Sequence, residues 1–190
     1  AWVANWTGQS HSVWKNDGLG NYTDTGQDLG NTPGSKVVLG DIDEDGDLDA
    51  FVLNYDYPNR IFFNDGQGNY EYEQAPGSNL GLNDSTGASL GDLDGDGDLD
   101  ALVANNNGQA NVVWQNNGLG SFSNGHVLGL YDSRAVELGD VDGDGDLDAW
   151  VANWNGANRV WANDGLGNFS DSGQALGSSD SQDVALGDLD

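Results

Sequence analysis

An acidic segment of eleven residues, Leu-Gly-Asp-x-Asp-x-Asp-Gly-Asp-Leu-Asp, begins at Leu39, Leu90 and Leu138, and a fourth copy starts at Leu186 and reaches Asp190. The intervals are 51, 48 and 48 residues. A period of that size marks a chain built from stacked supersecondary units, each burying its apolar face on the next. Each complete copy runs into an apolar stretch: Ala50 to Leu53, Ala101 to Ala104, Ala149 to Ala152. The chain itself opens on that stretch, since Ala1 to Trp6 repeats Ala149 to Trp154 residue for residue. It is therefore expected to be an excised piece of a longer array.

Within the last period, Ala149 to Asn153 is mostly apolar, Arg159 to Asn163 alternates about Val160 and Ala162, Phe169 to Leu176 alternates more weakly, and Asp183 to Leu189 leads into the next acidic segment. Short runs without a 3.6-residue repeat predict β-strands. Between the second and third runs stands Asn163-Asp164-Gly165-Leu166-Gly167-Asn168, matched at Asn16 to Asn21, Asn64 to Asn69 and Asn116 to Ser121. Asn-Gly and Asp-Gly pairs supply the positive φ that tight hairpins need. The expected fold class is all-β: tandem four-stranded blades of the β-propeller type, four repeats of about 48 residues, with an open stacked array forming a filament as the alternative to a closed ring. The units run 1–49, 50–100, 101–148 and 149–190, in one continuous array over 1–190.

Charge decides which partners are admissible. Asp and Glu number 32 against 5 Lys and Arg, a formal charge of -27. The scattered basic residues offer no phosphate-binding surface, so nucleic acid is excluded, and an anionic membrane would repel the chain. No apolar run approaches the ~20 residues that span a bilayer, so membrane insertion is not expected. The sequence has no cysteine, which removes disulfides and thiolate metal sites. The 7 Trp, 6 Tyr and 5 Phe, set at recurring places, argue against an acidic disordered segment.

In Asp41-Ile42-Asp43-Glu44-Asp45-Gly46-Asp47-Leu48-Asp49, carboxylates at positions 1, 3, 5 and 9 converge only if the backbone curls about a central point, and Gly at position 6 permits the turn. The first half of an EF-hand loop uses the same spacing. Hard oxygen donors on a flexible loop favour Ca2+ over magnesium. The alternative, a solvated acidic turn, sets several carboxylates against one another at about 1 kcal/mol per pair at surface dielectric, three times over and without compensation. The apolar residues at positions 2 and 8, Ile42 and Leu48, Leu93 and Leu99, Val141 and Leu147, are expected to face the core.

The loops, the Ala-x-Val that follows at Ala149 to Val151, and the Asn-Asp-Gly-x-Gly-Asn turn together resemble FG-GAP/VCBS repeats, the calcium-binding propeller blades of integrin α-subunits and of many secreted bacterial proteins. The resemblance covers essentially the whole chain. It implies that Asp41, Asp43, Asp45 and Asp49 are side-chain ligands and Asp47 mainly a carbonyl ligand. The same pattern falls at Asp92, Asp94, Asp96, Asp98 and Asp100, and at Asp140, Asp142, Asp144, Asp146 and Asp148. The shortened copy offers Asp188 and Asp190, a half-site that a following segment or a neighbouring copy would have to complete. Such propellers usually have about seven blades, against four repeats here.

Trp14, Trp114 and Trp161 occupy equivalent second-strand places and are expected in the blade core. Trp6, Tyr55 and Trp154 end the first strands, where an exposed ring could stack on a sugar. His11 and His126 stand at non-equivalent places in polar surroundings, which argues against a shared catalytic role. With no paired nucleophile and base and no phosphate loop, the chain is expected not to be an enzyme. The expected function is a calcium-binding extracellular or cell-surface repeat protein with a structural, adhesive role, linking blades and neighbouring copies into a fibre. The alternative is a propeller module that binds a glycan or a surface protein.

Overall fold

A computed structural model describes residues 1–6, 8–72 and 80–188. Its strands are β1 (Trp2–Val3), β2 (Ser12–Asn16), β3 (Tyr22–Asp24), β4 (Gly34–Gly40), β5 (Asp49–Asn54), β6 (Arg60–Asn64), β7 (Tyr70–Tyr72), β8 (Ser85–Gly91), β9 (Asp100–Asn105), β10 (Ala110–Gln115), β11 (Ser123–Leu130), β12 (Asp132–Gly139), β13 (Asp148–Trp154), β14 (Asn158–Asn163) and β15 (Phe169–Leu176). Among the described residues there is no helix. The strands form four antiparallel meanders, β1-β2-β3, β4-β5-β6-β7, β8-β9-β10-β11 and β12-β13-β14-β15. The fold is the all-β row of blades that the period predicts, and it is not closed into a ring: among the described residues each hydrophobic core joins two sheets that are neighbours in the row, and none joins the first sheet to the last.

The register explains the apolar stretches. Each acidic loop joins the first strand of a sheet to its second, so that Gly40 pairs with Asp49, Gly91 with Asp100 and Gly139 with Asp148. The second strand is then flanked on both edges and stacked on both faces. β5 and β9 are buried at every residue, which is why they read as continuous apolar runs rather than alternating ones. The outer β7 is short and mostly exposed, as suits an edge.

The hydrophobic cores lie between sheets. Trp2, Val13 and Leu29 pack with Ala50, Val52 and Phe62 across the first junction. Ile42, Phe51 and Ile61 meet Val103, Trp114 and Phe122 across the second. Leu93, Leu102 and Val113 meet Val151, Trp161 and Phe169 across the third. The innermost strands are also tied directly, by Ser35 Oγ donating to Ser85 O (2.6 Å) and Thr86 Oγ1 donating to Ser133 O (2.8 Å).

Several expectations are corrected. The run from Asp183 forms no strand up to residue 188. In the other repeats the strand before the loop pairs with the strand after it, and that partner is not among these residues. By the same rule β4, the run before the first loop, pairs with β5 in the second sheet, and the first sheet has three strands rather than four. Ile42 and Leu93 are buried, but Leu48 and Val141 are exposed. Leu99 and Leu147, the counterparts of Leu48, seat their Cδ1 atoms close over Gly40 and Gly91 of the preceding sheet, a seat that Leu48 lacks. Val141 lacks the next sheet's aromatic residue, the part that Phe122 plays beside Ile42 and Phe169 beside Leu93. Trp114 and Trp161 are core residues, whereas Trp14 is exposed on the first sheet. Leu189 and Asp190, half of the shortened fourth site, lie outside the described residues.

Candidate metal centres

Each loop is curled by its own carboxylates. The first Asp accepts through Oδ2 from the N–H of the sixth residue, in Asp41–Gly46, Asp92–Gly97 and Asp140–Gly145 (3.1, 3.1 and 3.2 Å). The third Asp accepts from the N–H of the fifth, and the fifth from that of the seventh. The glycine at position 6 has φ of 94, 99 and 100° in the three loops, a region closed to most L-residues. The ninth Asp, fully buried, closes the ring. Its Oδ2 accepts from the second residue's N–H and its Oδ1 from the N–H of the hairpin Asn, so that Asp49 joins Ile42 to Asn64, Asp100 joins Leu93 to Asn116 and Asp148 joins Val141 to Asn163.

This curl brings carboxylate oxygens of Asp41, Asp43 and Asp45 within 4.8 Å of one another, and likewise those of Asp92, Asp94 and Asp96, and of Asp140, Asp142 and Asp148. Asp47, Asp98 and Asp146 turn aside and lie against the hairpin glycines Gly66, Gly118 and Gly165. Asp144 bonds the N–H of Asp146, and Asp49 and Asp100 keep to the ring closure, outside these groups of three. Asp188 lines a groove with Asp140, Val141 and Leu186.

The electrostatics show what these groups lack. Burial, then the neighbouring Asp45, raises the pKa of Asp43, and burial, then Asp96, raises that of Asp94. Asp142 and Asp146 move the same way through desolvation and then Asp144. Burial raises Asp49 despite its two backbone N–H bonds, and pushes Asp100 up to about 6. One oxygen is stranded outright. In the second and third loops the N–H of Gly95 or Gly143 donates to Oδ1 of the first Asp (2.8 and 2.7 Å). The first loop has Glu44 there, and Asp41 Oδ1 is buried with no partner among the described residues. A buried carboxylate oxygen without a donor is costly, and a hard cation is the group that fits a site made of such oxygens.

Loop and neighbouring sheet are bolted together by residues that the acidic pattern does not reveal. Asn116 Nδ2, at the start of a hairpin turn, donates back to Ile42 O in the preceding sheet's loop (2.8 Å) as well as to Leu99 O (3.2 Å). Asn163 Nδ2 does the same to Leu93 O (2.9 Å) and Leu147 O (3.2 Å). Gln115 Nε2 reaches Asp94 Oδ2 (2.9 Å) within its own sheet. The signal was present in the recurrence of Asn at the first turn position, at Asn16, Asn64, Asn116 and Asn163, but it reads equally as turn chemistry.

At the opposite end of the sheets, Trp6 is 52% exposed and its ring stands 5.4 Å from that of Tyr55, tilted by 55°. Trp154 is covered instead by Arg134, 5.2 Å from the ring centre. Arg159 pairs with Asp171 (3.6 Å) and Arg60 lies over Tyr72.

The profile of the FG-GAP-like repeat matches residues 41–103, 92–151 and 140–190, each match beginning on the first Asp of a loop. No curated protein matches the sequence at a significant level. Among solved structures, a lectin of Agrocybe aegerita, described for its specific recognition of non-reducing terminal N-acetylglucosamine, superposes with a TM-score of 0.57 at 22% identity, over 88% of this chain and 49% of the lectin. The chain thus spans about half the length of that protein, and at this identity the likeness is one of fold.

Proposed function

The chain belongs to the FG-GAP-like repeat family, and from that premise we propose that it is a non-catalytic, calcium-dependent repeat module whose loops lock successive blades together outside the cell. The observation that carries this reading is the stranded Asp41 Oδ1 within a converging carboxylate group. The residues that would hold the ion are Asp41, Asp43 and Asp45, Asp92, Asp94 and Asp96, and Asp140, Asp142 and Asp148, with backbone carbonyl support at the seventh residue of each loop. When bound, calcium supplies the positive charge that these oxygens lack.

The chain's own residues convert loop order into blade docking. Once the first loop is curled, Ile42 presents its side chain to Phe122 and its carbonyl to Asn116. The second loop presents Leu93 to Phe169 and Asn163. Extracellular calcium modules work at dissociation constants of about 0.1 to 1 mM. At tenfold excess each site adds about 1.4 kcal/mol, enough together to decide whether the array is folded. The exposed Val141 on the last sheet of the row is the surface on which a further blade, or a second copy, would stack, and it supports the structural, adhesive and fibre-forming role. A second reading, a glycan-binding module, is favoured by the exposed Trp6–Tyr55 pair.

Titration calorimetry on the chelator-stripped chain tests the proposal. The expected result is three calcium ions per chain, falling to two in Asp41→Asn, with a raised melting temperature in calcium. A chain that binds no calcium and melts identically in chelator would overturn it.

A further inference from the structure

Two of the three junctions between sheets are closed by the same buried polar chain. At the second junction the Asn59 side chain accepts from Asn54 N (2.9 Å) and donates to Ser85 Oγ (3.0 Å), which donates on to Asn105 Oδ1 (2.9 Å). At the third, Asn111 accepts from Asn105 N (2.8 Å) and donates to Ser133 Oγ (2.9 Å), which donates to Asn153 Oδ1 (2.9 Å). Asn158 repeats the first step with Asn153 N (3.0 Å).

The first junction is built differently. His11 stands where the others have Asn, its Nδ1 accepting from Asn5 N (3.1 Å) and its Nε2 facing Thr32 Oγ1 (3.4 Å). Gly34 stands where the others have Ser, because a Cβ there would lie 2.7 Å from His11 Cε1. The two departures go together, and they leave a mark: Asn54 Oδ1, the acceptor that a serine hydroxyl would serve, is buried with no partner among the described residues. The imidazole is 1% exposed, with its centre 5.3 Å from the Trp2 ring and 6.4 Å from Phe62. An acceptor Nδ1 requires the neutral tautomer with its proton on Nε2.

We propose that this junction is an acid-labile joint, opened by protonation of His11, while the Asn–Ser junctions hold. Protonation turns Nδ1 into a donor aimed at the Asn5 N–H and places a charge between two aromatic rings. The charged groups on the elements of this core are Lys15 of β2, Lys36 of β4, Asp49 of β5, Arg60 of β6, Glu71 of β7 and Asp28 of the 25–33 linker, and Arg60 acts on the imidazole. Asp28 is engaged by Ser10 Oγ (3.4 Å) and Gly30 N (3.3 Å). Burial first, and then the Arg60 charge, lowers the His11 pKa from its ordinary 6.5. The unfolded segment therefore binds the proton more readily. The stabilisation is complete above about 6.5 and is lost as pH falls from there through the lowered folded value, with the open fraction growing about tenfold per pH unit across that window.

The test is hydrogen exchange read by mass spectrometry on the full chain in saturating calcium, from pH 7.5 to 5.5, expressed as protection factors. Peptides from residues 1–34 are expected to lose protection at least fivefold below pH 6.5, while those from β8 to β15 do not change. The double variant His11→Asn with Gly34→Ser, which rebuilds the Asn–Ser chain, is expected to abolish the pH response, and His126→Asn to leave it intact. Should the double variant fold poorly, His11→Asn alone serves, with protection that is lower but flat with pH. A first sheet that stays protected to pH 5.5, or a response that survives removal of His11, overturns the proposal.

Discussion

At the scale of single residues, the three acidic loops are not equivalent, and Glu44 is the difference. It sits at φ 62°, where Gly95 and Gly143 stand in the other loops. Its carboxyl leans on Asp98 of the next loop, a shared hydrogen bond that raises the Glu44 pKa. A non-glycine residue held there costs roughly 1 to 2 kcal/mol of backbone strain, against about 0.5 to 1 kcal/mol for the extra freedom glycine has when unfolded. Glu44→Gly is therefore expected to raise stability by about 0.5 to 1 kcal/mol in urea denaturation, and to free the backbone N–H at that position to turn onto Asp41 Oδ1, as those of Gly95 and Gly143 do onto their own first Asp. A loss of stability would show that Glu44 contributes through its contact with Asp98 instead.

At the scale of elements, the hairpin turns do two jobs, since they reverse the chain and grip the loop of the sheet before. Asn116→Ala removes two side-chain hydrogen bonds from buried carbonyls, one of them on Ile42 of the preceding loop. It is expected to cost about 2 kcal/mol and to weaken calcium at the first loop, although Asn116 belongs to the third sheet; calorimetry on the variant checks both. Close packing of innermost strands makes a second expectation. A Cβ at Gly87 would lie 2.8 Å from Ala135 Cα and 2.9 Å from Arg134 O, both backbone, whereas at Gly40 it meets only the tips of Leu90 and Leu99. Gly87→Ala should therefore lower the melting temperature well beyond Gly40→Ala, because a leucine rotates aside and a backbone does not. Much of this level was legible in the sequence: the loops, the hairpins and the strands from Ala149 to Leu176 fall where the period places them. Contacts between sheets were not, because the serine at 85 or the asparagine at 116 carries no pattern that distinguishes a clamp from a polar turn. His11 read as a polar-segment histidine, when its partners Trp2, Thr32 and Phe62 come from elsewhere in the chain.

At the scale of the molecule, the cores lie between sheets and the sheets are not joined end to end. Stability should then behave as a row of nearest-neighbour terms. Stepwise chelation is expected to produce a broadened unfolding transition, with far-ultraviolet and tryptophan signals no longer coincident, whereas the calcium-loaded chain melts in one step; coincident curves in chelator would count against a row of separable junctions. The clamp that reaches from each hairpin into the preceding loop also bears on heredity. A duplication or deletion of one whole period, wherever its breakpoints fall, reproduces Asn against carbonyl and Ser against Asn, so arrays of this kind can lengthen or shorten by recombination without inventing a new interface. The exception is the stretch from His11 to Gly34. A crossover between those two positions would set an imidazole against a serine with no room for its Cβ, so this pair has to be inherited as one block.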